Sequence, residues 1–568
     1  MRSMPSLVTL PALLESIQPL TRTESLSWRS IAVAVMAGLM HALSVAWPFD
    51  GLLLTAGQPV WWLQLLALAT LVTLMQRCSS VRHSALLGWL FATAMQCGTW
   101  WWLFISLHTY GGLAAPLTVL AILGLAAFLG LYYALVCAVF AVLAPMNRIG
   151  NAILFAALWL LAELARVAFF TGFPWGEGGY AQLDGPVADL AKLVGVHGLT
   201  FLAALMAAGF SALLRKPGWT ASAVVATGLL LAWFTSMALR VDTGRPSAFT
   251  SAHPVVLSGA APQAFTVTLL QGNIPQDEKF QGNKGVPEAL KWYGEQLREA
   301  KTALVVTPET AIPVLPAQLP SGYAEALLSR FTAPAAAGTS TAALIGIPLG
   351  SSEQGYTNSV IGLKPPALGT GPTDGVNYRY DKHHLVPFGE FVHPLFKWYL
   401  TMVNIPLSDF NRGAVSQPSF DWQGQRLAPN ICYEDLFGEE LATRFIDPAT
   451  SPTVFVNISN IGWFGNTVAI DQHLNISRMR ALEFERPMIR ATNTGATVII
   501  DYRGQVTHAL PRHTRGVLEG DVEGRSGITP YAWWASRFGL MPWWLAIFAI
   551  VLVAAYARFY WGKTRLHS

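Results

Sequence analysis

Long apolar runs alternate with polar segments along this chain. Seven such runs occupy most of the first 240 residues, and an eighth lies near the end. Each approaches the roughly 20 residues that an α-helix needs to cross a bilayer, so the pattern predicts about eight transmembrane helices. The runs are Ile31–Trp47, Pro59–Gln76, Ser84–Ser106, Pro116–Ala144, Ala152–Phe170, Leu199–Leu214, Trp219–Leu239 and Pro542–Ala557.

The residues between the seventh and eighth runs have ordinary polarity, which indicates a globular domain inserted into a membrane protein. The first run also fits a secretory signal, but the apolar runs that follow favour a retained helix. We therefore divide the chain into an N-terminal segment 1–28, a seven-helix membrane domain 29–241, a linker 242–262, a globular domain 263–527, a return segment with the eighth helix 528–557, and a tail 558–568.

Strand-like and helix-like patterns alternate in the globular domain, which predicts a layered α/β fold. The helical patterns cover Val286–Lys301 and the region around His473–Phe484. The segment Phe391–Leu407 is apolar but too short and polar to span a membrane, so an interfacial lid and a buried core helix both remain open for it. The predicted strands are Phe265–Leu270, Ala303–Thr307, Ala342–Ile347, Tyr356–Gly362, Gly375–Asp381, Val454–Ser459 and Thr497–Asp501.

Composition supports a membrane-integral protein. Only 12% of the 568 residues are charged and the mean hydropathy is +0.40, whereas soluble proteins carry about 25% charged residues. The net charge of +4 does not indicate nucleic-acid binding.

The distribution of Arg and Lys predicts the orientation in the membrane. Arg77, Arg82 and Arg148 lie in alternate loops, and the loops Phe49–Gln58 and His108–Ala115 contain no Arg or Lys. Because cytoplasmic loops are enriched in positive charge, both termini are expected in the cytoplasm. The globular domain is then expected outside, which is the periplasm in a bacterium with two membranes.

Residues near the ends of the apolar runs have structural interpretations. Glu163 and Arg166 lie three residues apart on one predicted helix, where they are placed to form an ion pair. The cluster Trp100–Trp102 and the turn Thr171–Trp175 are typical of aromatic side chains that anchor in lipid headgroups.

One cysteine stands apart from the apolar runs. Of the 4 Cys, only Cys432 lies in the polar domain, within the stretch Ala428–Asp435. That stretch predicts a strand end, a sharp turn and a helix start, which would expose the thiol and lower its pKa. A nucleophile is one interpretation; a small buried hydrophobe is the alternative and the commoner fate of a free Cys.

Two further residues follow strand-like runs. Glu309 comes after Leu304–Pro308, and Lys382 lies in Tyr380–Glu390. Because catalytic groups gather at one end of the strands in α/β folds, Glu309 is our candidate general base, Lys382 the stabiliser of thiolate and oxyanion, and Cys432 the acyl carrier. We find no pattern for a metal, nucleotide or other cofactor and expect none.

The order and context of these residues resemble a known superfamily. Pro308–Thr310, Lys382–Glu390 and Asn430–Glu434 resemble the Glu-Lys-Cys triad segments of nitrilases, the carbon–nitrogen hydrolases. With the membrane flanks, further segments resemble the bacterial apolipoprotein N-acyltransferase family: Thr171–Trp175, Gln271–Gln276, Ile458–Asn460, Trp463–Gly465, Arg478–Glu483 and Thr529–Tyr531.

This resemblance implies a four-layer αββα sandwich on an eight-helix bundle in the inner membrane. It also implies transfer of an sn-1 acyl chain from a phospholipid, with phosphatidylethanolamine as the expected donor, through a Cys thioester. The acceptor would be the amine of the diacylglyceryl-Cys at an apolipoprotein N-terminus. We expect a monomer.

The resemblance extends to accessory positions. It assigns Glu390, Tyr433 and Glu434 to shaping the site, and we expect the aromatic residues Phe280, Trp463, Phe396 and Trp398 to border the acyl chains. The chain departs from the family at two places: Phe280 stands where a Trp is usual, and Ile461 where an acidic residue is usual.

Two other functions are compatible with the residues alone. A membrane-tethered amidase of the same superfamily would use the same triad with water as the acceptor. A non-enzymatic scaffold would leave the site unused, although Glu309, Lys382 and Cys432 are all present.

Overall fold

The computed structural model describes residues 26–78, 80–144, 147–215, 219–240, 264–333, 340–366, 376, 378–392 and 410–564. All eight predicted apolar runs lie on helices. Seven of these helices form the N-terminal bundle: Trp28–Val45 (α1), Trp61–Arg77 (α2), Val81–Trp100 (α3), Ala115–Leu143 (α4), Arg148–Ala168 (α5), Ala191–Arg215 (α6) and Trp219–Arg240 (α7).

The globular domain contains two six-stranded sheets. The strands are Phe265–Gln271 (β1), Leu304–Val306 (β2), Ala342–Ser351 (β3), Gly355–Leu363 (β4), Tyr378–Asp381 (β5), Phe420–Trp422 (β6), Gln425–Ile431 (β7), Val454–Ser459 (β8), Met488–Thr492 (β9), Val498–Ile500 (β10), Val506–Ala509 (β11) and Gly516–Val522 (β12). The first sheet has the order β12-β1-β2-β3-β4-β5 and the second β11-β10-β9-β8-β7-β6.

Helices cover the outer faces of both sheets. The helices of this domain are Gly285–Glu299 (α8), Tyr323–Thr332 (α9), Gly438–Ala442 (α10), Ala469–Phe484 (α11) and Pro530–Phe538 (α12), and the chain continues into Met541–Thr564 (α13). The inner sheet faces pack through residues such as Leu269, Val306, Ile431 and Val456. With α8 and α9 on the first sheet and α11 and α12 on the second, the layers run α, β, β, α as predicted.

Five helical segments in the described residues are long and apolar enough to cross a membrane. They are Trp28–Val45, Ala115–Leu143, Arg148–Thr171, Ala188–Leu213 and Met541–Arg558. The chain is therefore a membrane-embedded protein with an α/β domain between its apolar helices.

Several elements were not predicted from sequence, and their composition explains why. β9 contains Arg490, an unusual residue for a buried strand, whose cost is offset by the Asp435 carboxylate 3.6 Å away. β11 is exposed along its whole length, so burial does not impose an apolar pattern on it. The predicted lid segment lies mainly in residues 393–409, outside the described residues.

Helix α11 joins the two parts of the protein. It is rich in polar residues, yet nearly all of it is buried. Gln472 Oε1 accepts hydrogen bonds from the indole nitrogens of Trp102 at 3.0 Å and Trp175 at 2.8 Å. Its amide nitrogen donates to the Thr99 carbonyl oxygen at 3.2 Å. Each polar group of Gln472 is thereby paired across the boundary with the helix bundle.

This arrangement corrects the interpretation of the Trp residues as headgroup anchors. Trp100, Trp102 and Trp175 are at most 3% exposed and belong to the core shared with the globular domain. Only Trp101 of the cluster is half exposed. Hydrogen bonds explain the difference, because a buried indole N–H needs a partner. Trp102 and Trp175 donate to Gln472, and Trp100 donates to the Trp175 carbonyl oxygen.

The predicted ion pair between Glu163 and Arg166 is present, with 3.0 Å between the charged groups. Arg166 also donates to the carbonyl oxygens of Phe173 and Trp175, at 3.1 and 2.7 Å. The buried pair therefore holds the turn after α5 that delivers Trp175 to Gln472.

We expect Gln472→Leu to loosen the docking of the globular domain. The substitution would leave two buried indole N–H groups without an acceptor, at a cost of about 1–3 kcal/mol each. The apparent melting temperature of the detergent-solubilised protein should fall by roughly 2–6 °C. The exposed Gln505→Leu is the control, and equal melting of both variants would contradict this account of the interface.

Candidate active site

The chain brings Glu309, Lys382 and Cys432 to one edge of the paired sheets. Glu309 follows β2, Lys382 follows β5 and Cys432 follows β7. Since the two sheets pack face to face, the ends of these strands lie together, as predicted. Cys432 has a φ of 53°, so the turn after β7 holds a non-glycine residue in the left-handed region. Such strained turns are common at nucleophiles, which they expose.

Lys382 lies between two carboxylates. Its ammonium is 3.3 Å from Glu309 Oε1 and 2.8 Å from Glu390 Oε2. Asn358 Nδ2 donates to the same two residues, to Glu309 Oε1 at 2.7 Å and to Glu390 Oε1 at 2.8 Å. The Lys382 side chain is almost wholly buried, so these contacts fix its position.

Two further groups hold Glu309. The backbone N–H of Asn460 donates to Glu309 Oε2 at 2.8 Å. The buried Lys279 ammonium donates to the Glu309 carbonyl oxygen at 3.0 Å. Hydrogen-bond donors therefore fix the position of both carboxylate oxygens of Glu309. The Lys279 ammonium fixes the position of its backbone carbonyl group.

The backbone of Cys432 is held from α11. His473 Nε2 lies 3.1 Å from the Cys432 carbonyl oxygen, and Arg490 donates to His473 Nδ1 at 2.7 Å. Because Arg can only donate, Nδ1 must accept, and the His473 proton therefore lies on Nε2 and points at Cys432. Burial and the Arg490 charge hold the pKa of His473 well below its usual value, which agrees with a neutral ring.

Glu434 braces the same turn. Its carboxylate accepts from the backbone N–H groups of Ile431 at 2.6 Å and His383 at 2.7 Å, and from the Tyr380 hydroxyl at 2.8 Å. It thereby ties the segment after β7 to the segment that carries Lys382.

Tyr433 points away from the triad. Its hydroxyl donates to the Gly172 carbonyl oxygen at 3.0 Å, and its ring stacks near Phe173. The residue after the candidate nucleophile thus contacts the turn that follows α5, which couples the site to the helix bundle.

The other predicted residues lie at the margin. Phe280 is half-buried beside the Lys279 ammonium. Trp463 packs edge-on against Tyr110, from the segment after α3, with 5.7 Å between ring centres. Ile461 is fully buried in the shared core. Phe396 and Trp398 lie outside the described residues.

The electrostatics of the resting site correct one prediction. Burial raises the pKa of the Cys432 thiol to about 12, with the Glu309 carboxylate adding to the effect and the Lys382 ammonium opposing it. The expected lowering by a helix N-terminus is wrong, because the segment Cys432–Leu436 is only one short 3-10 turn, and burial of the thiol together with the Glu309 carboxylate outweighs its effect.

The pKa values of Glu309 and Lys382 each shift in the direction that favours the ionised form. Burial would raise the pKa of Glu309, but the Lys382 ammonium and the Asn358 amide outweigh it and lower that pKa. Burial would lower the pKa of Lys382, but the Glu309 and Glu390 carboxylates raise it. Burial lowers the pKa of Lys279 to about 7.

These directions define the chemistry available at neutral pH. The site holds a neutral thiol, an ionised carboxylate and a protonated Lys382. A thiol with this pKa has to lose its proton as it attacks, so Glu309 is suited to general-base catalysis in the same step. Lys382 is suited to stabilise negative charge that develops on the substrate oxygen.

Sequence reasoning missed the supporting residues. Asn460 ends the motif segment Ile458–Asn460, and Lys279 directly precedes Phe280; each position was only a weak signal. Asn358 lies inside β4 and His473 inside α11, and neither position carries a local pattern that indicates a role. Their contribution depends on contacts between distant segments.

We expect Glu309→Gln to make Cys432 more reactive toward iodoacetamide at pH 8, in a background where Cys78, Cys97 and Cys137 are Ser. Removing the carboxylate removes one cause of the raised thiol pKa, and each pKa unit changes the thiolate fraction about tenfold. Lys382→Met should slow alkylation, because it removes the opposing charge.

The exposed Glu353→Gln is the control for this measurement. With Glu309 intact, the alkylation rate should still rise with pH up to pH 10, since the thiol titrates near pH 12. Slower alkylation in Glu309→Gln would show that Glu309 already withdraws the proton at rest, contrary to this electrostatic picture.

Comparison with known proteins agrees with this architecture. A family model for the apolipoprotein N-acyltransferase N-terminal domain matches residues 50–209, and one for carbon–nitrogen hydrolases matches residues 266–530. The chain is similar to apolipoprotein N-acyltransferases of Verminephrobacter eiseniae, with 54% identity over 91% of this chain and 94% of the relative, and of Ralstonia nicotianae, with 40% identity over 93% of each.

A solved carbon–nitrogen hydrolase from Helicobacter pylori G27 also matches, at 12% identity and a TM-score of 0.32, over 54% of this chain and 95% of that one. The sequence identity of the two relatives and the share of each chain that the matches cover establish the family. The chain belongs to the apolipoprotein N-acyltransferase family.

Proposed function

We propose that this protein is an N-acyltransferase that completes the maturation of bacterial lipoproteins. It moves an acyl chain from the sn-1 position of a phospholipid to the N-terminal amine of a diacylglyceryl-Cys apolipoprotein. The observation that carries the mechanism is the half-buried Cys432 in front of the buried Glu309–Lys382 pair. The relatives' names support the reaction, and the apolar helices support a lipid substrate.

In the first half-reaction, Cys432 attacks the ester carbonyl of the phospholipid. The thiol proton passes to Glu309 as the sulfur–carbon bond forms, and Lys382 stabilises the oxyanion. The tetrahedral intermediate then collapses with loss of the glycerol oxygen, which takes the proton back from Glu309. The products are a thioester on Cys432 and a lysophospholipid.

In the second half-reaction, the neutral amine of the acceptor attacks the thioester. Glu309 takes the amine proton, the carbon–sulfur bond breaks, and Glu309 returns the proton to the Cys432 thiolate. A free α-amine has a pKa of about 7.7–8.0, so part of the acceptor is neutral at pH 7 to 8. The raised thiol pKa makes the resting site return to the neutral thiol.

Accessory residues divide into two groups in this proposal. Glu390 fixes Lys382, and Glu434 and Tyr433 hold the turn around Cys432. Phe280, Trp463, Phe396 and Trp398 border the acyl chains. The contact of Trp463 with Tyr110 supports entry of lipid at the boundary between the globular domain and the helix bundle.

We expect an acyl-enzyme when the purified protein is mixed with phosphatidylethanolamine and no acceptor. Intact-protein mass should increase by one acyl group that hydroxylamine removes. Cys432→Ala and Cys432→Ser should show no hydroxylamine-sensitive adduct, and Lys382→Met should slow its formation by at least about 100-fold, because a charge that stabilises the oxyanion is lost.

The exposed Lys291→Met is the matched control for Lys382→Met. Full acylation of Cys432→Ala would overturn the role of the thiol. Release of free fatty acid without transfer to a synthetic diacylglyceryl-Cys peptide would favour the amidase, for which no feature of the described residues argues specifically.

We propose eight membrane spans in the inner membrane, with both termini in the cytoplasm and the globular domain in the periplasm. The charge pattern of the loops supports this orientation. In a chain without its native Cys, a membrane-impermeant maleimide should label Glu353→Cys in intact cells and should not label Ser568→Cys until the cells are lysed. The opposite labelling would reverse the topology.

A further inference from the structure

A cavity of about 540 Å³ lies in the membrane domain, between the ends of α2 to α6. Its walls are mainly apolar and include Val72, Phe140 and Ala208. Polar side chains, namely Gln76, Ser80, Arg148 and Asn151, also line it. This volume is in the range of small-molecule binding sites.

The cavity lies far from the candidate active site. The globular domain contacts the C-terminal ends of α1 and α3 through Val45 and Thr99, and the N-terminal part of α6 through Val196. The cavity instead adjoins the last turn of α2, the start of α3 and the start of α5. Because consecutive helices alternate in direction, these ends lie on the opposite side of the bundle.

The charged residues of the sequence around the cavity are all basic. No Asp or Glu occurs from Gly51 to Ala162, and the Arg residues in that range are Arg77, Arg82 and Arg148. All of these lie in the loops or at the helix ends beside the cavity, and Arg148 lines it directly. The residues that line the cavity and this range of the chain contribute positive charge and no carboxylate, which favours an anionic ligand.

One buried polar atom lacks a partner there. Asn151 Oδ1 is buried and accepts no hydrogen bond from the residues that the structure describes. A buried acceptor without a donor costs free energy, and a ligand hydroxyl would satisfy it. This observation is independent of the charge pattern.

We propose that this cavity binds one anionic phospholipid from the leaflet on the side opposite the globular domain. One acyl chain lies between the apolar walls, the phosphodiester faces the Arg148 guanidinium, and a headgroup hydroxyl donates to Asn151 Oδ1. Basic pockets between transmembrane helices recognise lipid headgroups in this way. The site is separate from the donor site at Cys432, and the proposal does not depend on the acyltransferase reaction.

Native mass spectrometry of the full-length protein tests this binding. The probe is phosphatidylglycerol, compared with phosphatidylethanolamine of the same acyl chains. We expect one phosphatidylglycerol per chain to be retained at detergent concentrations that strip phosphatidylethanolamine. Arg148→Gln should weaken that retention roughly tenfold, the effect of losing one charge-assisted hydrogen bond, and Ala212→Phe should abolish it by filling the cavity.

Matched variants make the result specific. Arg82→Gln removes an exposed Arg that does not line the cavity, and Ala121→Phe adds a ring on the lipid-exposed face of α4; both should bind like the parent. Cys78 also lines the cavity, so bound phosphatidylglycerol should slow its alkylation relative to Cys97. This thiol measurement supplies a second readout on the unmutated chain.

Two outcomes would overturn the proposal. Equal retention of the two lipids would show that the cavity does not select negative charge. A phosphatidylglycerol adduct unchanged in Arg148→Gln, with no protection of Cys78, would place the lipid elsewhere, either around the bundle or at the Cys432 site.

Discussion

The pairing of polar groups along α11 is the constraint on which the rest of this structure depends. A polar helix can be buried only if its side chains find partners on every face. Toward the bundle, Gln472 meets the indoles of Trp102 and Trp175, and Glu483 accepts from the Val196 backbone N–H at 2.5 Å. Toward the sheets, His473 meets the Cys432 carbonyl oxygen. Neighbouring residues of one helix therefore bind the membrane domain and the turn of the candidate nucleophile.

A break in a membrane helix completes this junction. Gly195 in α6 has a φ of 68°, and an added Cβ there would clash with the Tyr531 ring. The break coincides with the donation of the Val196 N–H to Glu483 on α11. At the break in α6, the Val196 N–H thus pairs with the buried Glu483 carboxylate of the globular domain. This buried charge therefore has a hydrogen-bond partner where the two parts of the protein meet.

In the candidate site, too, buried charged side chains are stabilised by opposite charges and hydrogen-bond donors. Lys382 is stable in a buried position because Glu309 and Glu390 flank it, and Glu309 remains ionised because donors direct both of its oxygens. At Cys432 the Lys382 charge is outweighed by burial and by the Glu309 carboxylate, so the residue rests as a thiol. In the proposed mechanism, the thiol therefore loses its proton only as it attacks the substrate carbonyl carbon.

The sequence by itself determined the apolar helices, the α/β class of the globular domain and the candidate triad, because hydrophobic runs and strand ends are local patterns. It also predicted the Glu163–Arg166 pair from helical spacing. Only the tertiary structure decided the burial of Trp102 and Trp175, the supporting roles of Asn358 and His473, and the raised pKa of the Cys432 thiol. Each of these depends on charges and hydrogen-bond partners from segments far apart in the chain, and their balance is set by folding.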